Sequence, residues 1–298
     1  MKCLEVIKSK IDNTVKYVFE SNNSILEFSY INKNDGKDII VVPTQTSCNL
    51  GCKFCFLTGL KLKVRNLTPI ELVEGITHVL NNVPDKNKVL LVSFMGCGEP
   101  LLNINNVIDT MKCIEILYAQ SYDVVRFAVA SLIPDVLLFN DFRYEIKKNN
   151  IKCKFHYSLH TTDFLLRKQL MPGAAKESIN AILPLLRVYM REGNSVEIHY
   201  SLMDGINDTN EDVNTLTTYL GLDPVIPIKF LKLSEKEDSE YRQSKKIDEF
   251  RKSLEYFGIP TEYYEPPGSD VGSSCGQFLL DYYERYGNER DKDNTESG

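Results

Sequence analysis

The chain has 298 residues, 43% of them hydrophobic and 26% charged, with a net charge of −6. A length of this order buries one large core, and an acidic balance weighs against a dedicated binder of long nucleic acid, whose phosphate contacts call for a basic footprint. The apolar runs are far too short to span a bilayer, and Met1 opens into Lys2, Cys3, Leu4 and Glu5 without an apolar signal region, so no membrane anchor and a cytoplasmic location are expected. Eight cysteines in this setting read as ligands and catalytic groups rather than as a disulfide framework.

Residues 1–47 read as a small antiparallel β element. Val15–Phe19 and Ser24–Tyr30 are rich in β-branched and aromatic residues, and Asn22-Asn23 forms the turn between them. A second turn at Asn32–Lys37 leads into a strand over Asp38–Pro43. The element feeds a loop with Cys48, Cys52 and Cys55 in a C-x3-C-x2-C spacing. Three thiolates fall short of the four ligands of a structural zinc site, and no histidine precedes His78. Soft thiolate clusters otherwise take up iron–sulfur centres. A four-iron cluster held by three cysteines keeps one iron open to a small molecule. The plainer alternatives are a zinc site completed by a distant residue, or reduced thiols.

Thr68-Pro69-Ile70-Glu71 starts a helix, with Thr68 as N-cap and Glu71 closing a capping box. From there strands alternate with helices. Lys88–Phe94 precedes a helix at Ile104–Leu117, and Val124–Ala130 precedes one at Pro134–Lys148. Ile151–Leu159 precedes helices at Asp163–Leu170 and Ser178–Arg191, and Val196–Leu202 precedes Asn210–Leu220. Val225–Leu233 precedes Ser244–Phe257, and a last strand follows at Thr261–Tyr264. Such alternation implies parallel strands with right-handed crossovers. About six βα units are too few for a closed eight-fold barrel. The expected fold is therefore α/β, a partial (βα)6 barrel over residues 48–265. A loop and helix follow over 266–286, and the polar tail 287–298 is expected to be disordered.

Four further stretches carry chemistry. Met95-Gly96-Cys97-Gly98-Glu99-Pro100 follows a strand, where glycines let backbone approach a ligand and a carboxylate can accept from an ammonium. Read plainly, it is a tight turn with a solvated glutamate. Ser131 and Ser158-Leu159-His160 end the next two strands, placed to touch a ligand's ribose and carboxylate, although a lone histidine there is more often structural. Asn207-Asp208 reads equally as a contact or as a turn. Pro266–Gln277, rich in Pro, Gly and Ser, carries Cys275, either an incidental residue or a thiol on a movable loop. Cys3, Cys113 and Cys153 lie outside any motif.

The cysteine spacing, with Phe54 before the last cysteine, resembles the signature of the radical S-adenosylmethionine (SAM) superfamily. Together the stretches resemble its class A methyltransferases, the RlmN/Cfr type, which methylate adenine carbons in RNA. Leu26–Asn34 with Thr46-Ser47-Cys48 is similar to the family's hairpin and cluster loop, and Arg65-Asn66-Leu67-Thr68 to the segment after it. Met95–Asn103 matches M-G-M-G-E-P-L-L-N save at Cys97. Ser158-Leu159-His160, Asp204–Asp208 and Cys275-Gly276-Gln277 match S-L-H, D-x-x-N-D and C-G-Q. The likeness runs over about residues 12–280.

The resemblance implies a 4Fe–4S cluster on Cys48, Cys52 and Cys55, and SAM held by Gly96, Gly98, Glu99, Ser131, Ser158, His160 and Asn207. Cys275 would take a methyl from one SAM; a radical made from a second would draw hydrogen from it, and the carbon would add to an sp2 ring carbon. A reductant such as flavodoxin or ferredoxin, an RNA or small-molecule substrate and a monomeric state go with this reading. Two departures stand out. Val41 occupies the place of the family's second catalytic cysteine, which releases the adduct, and Cys97 is the thiol that can stand in for it. The family's N-terminal accessory domain has no counterpart ahead of the hairpin. The alternative is a radical SAM enzyme on the same scaffold that abstracts hydrogen, crosslinks or modifies through a thiol on a non-RNA substrate. A non-enzymatic iron–sulfur or zinc protein fits less well, because it needs no Met95–Asn103 motif.

Overall fold

The computed structural model describes residues 1–60, 62–235, 239–272 and 277–283. Its strands form one sheet in sequential order. These are β1 (Lys2–Lys8), β2 (Thr14–Ser21), β3 (Ser24–Ile31), β4 (Lys37–Val41), β5 (Val89–Phe94), β6 (Val124–Ser131), β7 (Cys153–Ser158), β8 (Ser195–Tyr200), β9 (Ile228–Leu231) and β10 (Thr261–Tyr264). The helices are α1 (Pro69–Asn81), α2 (Ile104–Tyr118), α3 (Val136–Lys148), α4 (Phe164–Leu170), α5 (Ile179–Arg191), α6 (Asn210–Leu220) and α7 (Ile247–Tyr256). Strands β1 to β4 pair antiparallel and β4 to β10 parallel, so β4 belongs to both patterns and the sheet runs unbroken into the barrel. The architecture is the expected partial (βα)6 barrel behind an antiparallel β element.

Local chemistry explains the element ends. Asn22 and Asn23, at φ 49° and 60°, make the two-residue turn that joins β2 to β3. Thr68 accepts from the Glu71 N–H and Glu71 accepts in return from Thr68, the box that starts α1. Strand β9 is shorter than expected because Pro224 and Pro227 have no N–H to give a ladder. Strand β1 carries no clear two-residue period; pairing with β2, with a bulge between Cys3 and Glu5, is what holds it extended.

Alternation along each strand divides the sheet's faces. Leu90, Val92 and Phe94 pack under the helices with Leu72, Ile76 and Met111, all nearly fully buried. Leu91, Ser93 and Met95 instead face a cavity on the concave side. Across the barrel's open seam, the Lys33 ammonium sits 4.0 Å from the Tyr264 ring centre, bridging the β3–β4 turn to β10. No helix among the described residues is long and apolar enough to cross a membrane.

Candidate functional site

The concave cavity has a volume of about 650 Å³, within the range of pockets that enclose a small-molecule ligand. Cys48, Cys52 and Cys55 all lie on its wall. Their loop is shaped by its own backbone: Cys55 N donates to Cys52 O at 3.1 Å, and Thr58 Oγ1 to the same oxygen at 2.6 Å. Lys53 N donates to Leu170 O (2.8 Å) and Gly173 N to Leu50 O (3.0 Å), fastening the loop to the end of α4. A side chain at Gly173 would stand 2.7 Å from Leu50, so only glycine permits that approach.

No described cysteine is in a disulfide. Burial pushes the Cys48 thiol up to about 11, and burial with the neighbouring Cys55 and Cys48 sulfurs pushes Cys52 higher still. Left alone these thiols stay protonated; a polycationic centre is what stabilises thiolates there. Their sulfurs also do not converge as ligands of one ion do, since the described group whose ligand atoms lie within 4.8 Å of one another is His156, Glu197 and His199. The donor set therefore fits an iron–sulfur cluster, wider than a single zinc ion.

The stretch after β5 lies against residues 42–45. Gly96 N donates to Val42 O at 3.0 Å. A Cβ on Gly96 would come 2.7 Å from that oxygen, and one on Gly98 (φ +102°) 2.7 Å from Gln45. Both glycines are required by that contact. Glu99 is buried; its carboxylate accepts from Leu101 N (3.0 Å) and Leu132 N (3.3 Å), and its own N–H donates to Gln45 Oε1 at 2.9 Å. Burial raises it to about 7 even so, with Ser131 and the two backbone N–H groups pulling the other way. An ammonium beside it would restore its charge.

Ser158 and His160 face the cavity. His160 sits at φ +56°, its Nδ1 accepting from Ser201 N at 2.9 Å and its ring edge-on to Phe54 at 4.8 Å. Burial, then the Arg167 charge, lowers it to about 3, so the ring is neutral. Asn207 is fully buried, its amide donates to the carbonyls of His160 and Ser201, and its oxygen accepts from Met203 N. Those bonds hold the ends of β7 and β8 from behind. Arg167 was not singled out from the sequence, where one arginine in a helix reads as a solvated side chain. It donates to the carbonyls of Ser158, Leu159 and Leu132, tying the tips of β6 and β7 together.

Cys97 lies in the turn after β5, beside Gly96 and Gly98. It is 1% exposed and packs with Val18, Ile25, Leu57 and Leu279. Burial pushes its thiol well up, and the acid groups of Glu27 and Cys48 add to this, so it stays neutral. Cys275 lies outside the described residues. The chain on both sides of it is anchored. Lys16, buried in β2, donates to Gly272 O (2.6 Å) and Glu27 Oε2 (2.7 Å), with its ammonium 4.9 Å from the Phe278 ring centre. Leu279 joins the cluster around Cys97, against which Cys48 and Cys55 also pack. A lysine amid Val15, Tyr17 and Val18 was the available signal for this clamp.

Toward β7–β9 the wall turns polar. His156, His199 and Lys229 face the cavity. Glu197 stands behind them, Oε2 at 3.1 Å from His156 Nδ1 and 3.0 Å from Lys229 Nζ, and Oε1 at 3.0 Å from Lys154 Nζ. Their signal was the two-residue alternation of Lys154, His156 and Ser158 and of Glu197, His199 and Ser201, which an apolar reading of these strands passes over.

No protein-family model matches the chain. It is 30% identical over 287 residues to a protein of Clostridium beijerinckii described as "probable dual-specificity RNA methyltransferase RlmN", covering 94% of this chain and 78% of the relative. To the protein of the same description from Thermotoga neapolitana it is 31% identical over 286 residues, covering 94% and 80%. Among solved structures, a radical SAM methyltransferase from Sphaerobacter thermophilus matches with a TM-score of 0.76 at 22% identity, over 93% of this chain and 80% of that one. The structure of native anSMEcpe with bound AdoMet matches with a TM-score of 0.53 at 16% identity, over 76% and 63%. With the cysteine loop and the motif after β5 on one cavity of this fold, the chain belongs to the RlmN-type dual-specificity RNA methyltransferase family and is a radical SAM enzyme.

Proposed function

We propose that the enzyme methylates an sp2 carbon of an adenine-like ring in RNA, or in a smaller molecule, through a methylated Cys275. In this reading Cys48, Cys52 and Cys55 hold a 4Fe–4S cluster, and Gly96, Gly98, Glu99, Ser131, Ser158, His160 and Asn207 hold SAM. What carries it is that the three thiols and the Glu99 and strand-end serine groups share one cavity. The relatives, described as RNA methyltransferases, point to RNA as the substrate. Reduced by a flavodoxin or ferredoxin, such a cluster would supply reductive cleavage of SAM and hydrogen-atom abstraction.

The chain's own groups do the rest. Glu99, poised near 7, accepts from the amino group and becomes charged as it does so. The Ser131 and Ser158 hydroxyls hold the polar atoms beyond it. His160, Asn207 and Arg167 keep the strand ends in place. Lys16 fastens the chain at Gly272. The division into residues 1–47, 48–265 and 266–286 follows the same roles: hairpin platform, barrel and thiol segment.

The test is anaerobic reconstitution followed by iron analysis, 5′-deoxyadenosine assay and mass spectrometry of the peptide containing Cys275. About four irons per chain, SAM cleavage and a methyl group on Cys275 are expected. Zinc alone in the wild type would overturn the cluster assignment, and Cys52→Ala should lose the iron. One observation favours a second outcome on the same scaffold: Val41, which offers no thiol, lies on the cavity wall. An unmodified Cys275 in cluster-loaded, SAM-exposed protein would establish hydrogen abstraction, crosslinking or thiol-linked modification instead.

A further inference from the structure

We propose that His156 and His199, with Glu197 beside them, form the subsite that receives the polar edge of the methyl acceptor, a neutral heteroaromatic ring with a hydrogen-bond donor and acceptor side by side. The inference rests on the proposed function for its setting and adds the residues that read the ring.

Position is the first argument. Ser158 pairs with His199 across β7 and β8. His156 lies two residues before Ser158 on the same strand face, roughly 7 Å along it. The imidazoles thus sit beside and below a serine proposed to hold SAM, on the wall of the same cavity. Next to them on the same wall, Ala130 pairs with His156 and Ala128 with Ser93, small side chains that leave room for a flat ring.

Hydrogen-bonding capacity is the second. His156 and His199 are 5% and 7% exposed, and burial lowers both, so each is a neutral ring with one donor and one acceptor nitrogen. The ring nitrogens of His199 make no hydrogen bond to any described residue. His156 Nδ1 lies 3.1 Å from Glu197 Oε2 but out of line for a good hydrogen bond. Buried polar atoms of this kind are normally satisfied, and a ligand with a donor–acceptor edge would satisfy these. Glu197 is a positioning residue, fixing His156 and Lys229 around one carboxylate.

Charge decides between ligand classes. Histidine, glutamate and histidine with ligand atoms inside 4.8 Å also have the makings of a divalent-metal site. Glu197 is already neutralised by Lys154 and Lys229 at 3.0 Å each. Lys229 also pairs with Glu262 at 3.2 Å, so a dication would meet two ammonium groups whose neighbouring carboxylates are both already paired. An anion would have to draw those lysines away from Glu197. A neutral ring meets neither penalty.

The test uses cluster-loaded holoenzyme and calorimetry with two probes, adenosine and purine riboside, which lacks the exocyclic amine. Adenosine is expected to bind the wild type at least about tenfold more tightly, as sites built to bond a polar group discriminate. Equal affinity, or binding of neither, overturns the proposal, and this comparison needs no variant to fold. In His199→Phe and in Glu197→Gln the preference should collapse toward equality; a variant that keeps it in full overturns the assignment of that residue. Cobalt(II) titration closes the remaining route. Nitrogen-and-oxygen-ligated d–d bands that vanish in His156→Ala/His199→Ala would make this a metal site and overturn the proposal. Failure of the proposed function is separate, since the wild type would then neither cleave SAM nor carry a methyl on Cys275, whatever it binds.

Discussion

Two buried charge clusters sit in the same sheet and have opposite surroundings. Lys16 and Glu27, on β2 and β3, stand 2.7 Å apart with side chains 2% and 8% exposed, and the ammonium is completed by Gly272 O and the Phe278 ring. Glu197, with Lys154, His156 and Lys229, is as deeply placed, but its histidine neighbours face a cavity with ring nitrogens to spare. A closed cluster fastens chain segments to each other. An open one is available to something that is not part of the chain. The difference lies in the neighbours, because both clusters have an acid and an amine in contact.

The largest effect expected from this comparison is at the closed cluster. Lys16→Met leaves the Glu27 carboxylate buried without its ammonium and should cost about 3–5 kcal/mol, read by urea unfolding. Adding Glu27→Leu removes the orphaned charge and should recover most of that loss. If the double variant stays as unstable as the single one, the pair is more than a fastener and the contrast fails.

At the open cluster, acid is the sharper probe. Burial holds His156 and His199 below their ordinary value of 6.5, so the fold keeps them neutral while the unfolded chain takes up protons. Stability should therefore fall as the pH drops below about 6.5, by up to about 1.4 kcal/mol per pH unit for each histidine. Although burial raises the Glu197 carboxyl, the neighbouring His156 and the charges of Lys154 and Lys229 outweigh this and hold it far below the ordinary 4.5. Its contribution is present above 4.5 and lost on further acidification, in the same direction. His199→Phe should flatten the slope between pH 6.5 and 4.5, and an unchanged slope would mean that His199 is not held neutral.

The smallest effect is at the rim. Lys154 is 38% exposed in its side chain, so Lys154→Met should cost about 1 kcal/mol or less. A larger loss in thermal unfolding would show that Lys154, rather than Lys229, is the principal counterion of Glu197, and would redraw the open cluster.

Much of the site is readable before folding is considered. The cysteine loop is a short spacing, and the glycines around Cys97 and the Thr68–Glu71 box act within a few residues. The same holds for the β–α alternation, whose element ends came within a few residues of those observed. Asn207 and Cys97 show where that reading stops. Each lies in a matching motif, yet Asn207 bonds to backbone behind β7 and β8, and Cys97 packs against Leu279. A motif names the residue but not the side of the strand end on which its side chain comes to rest.

By itself the sequence determined the three-thiol loop, the parallel barrel and the motif after β5, because spacing, periodicity and capping act between near neighbours. Only the tertiary structure decided that Lys16 meets a carbonyl 256 residues away, and that histidines from two strands gather near one carboxylate beside a cavity. Strand pairing and the inward curl of the sheet bring those groups together. Burial then sets their charge, and burial is a property of the packed molecule.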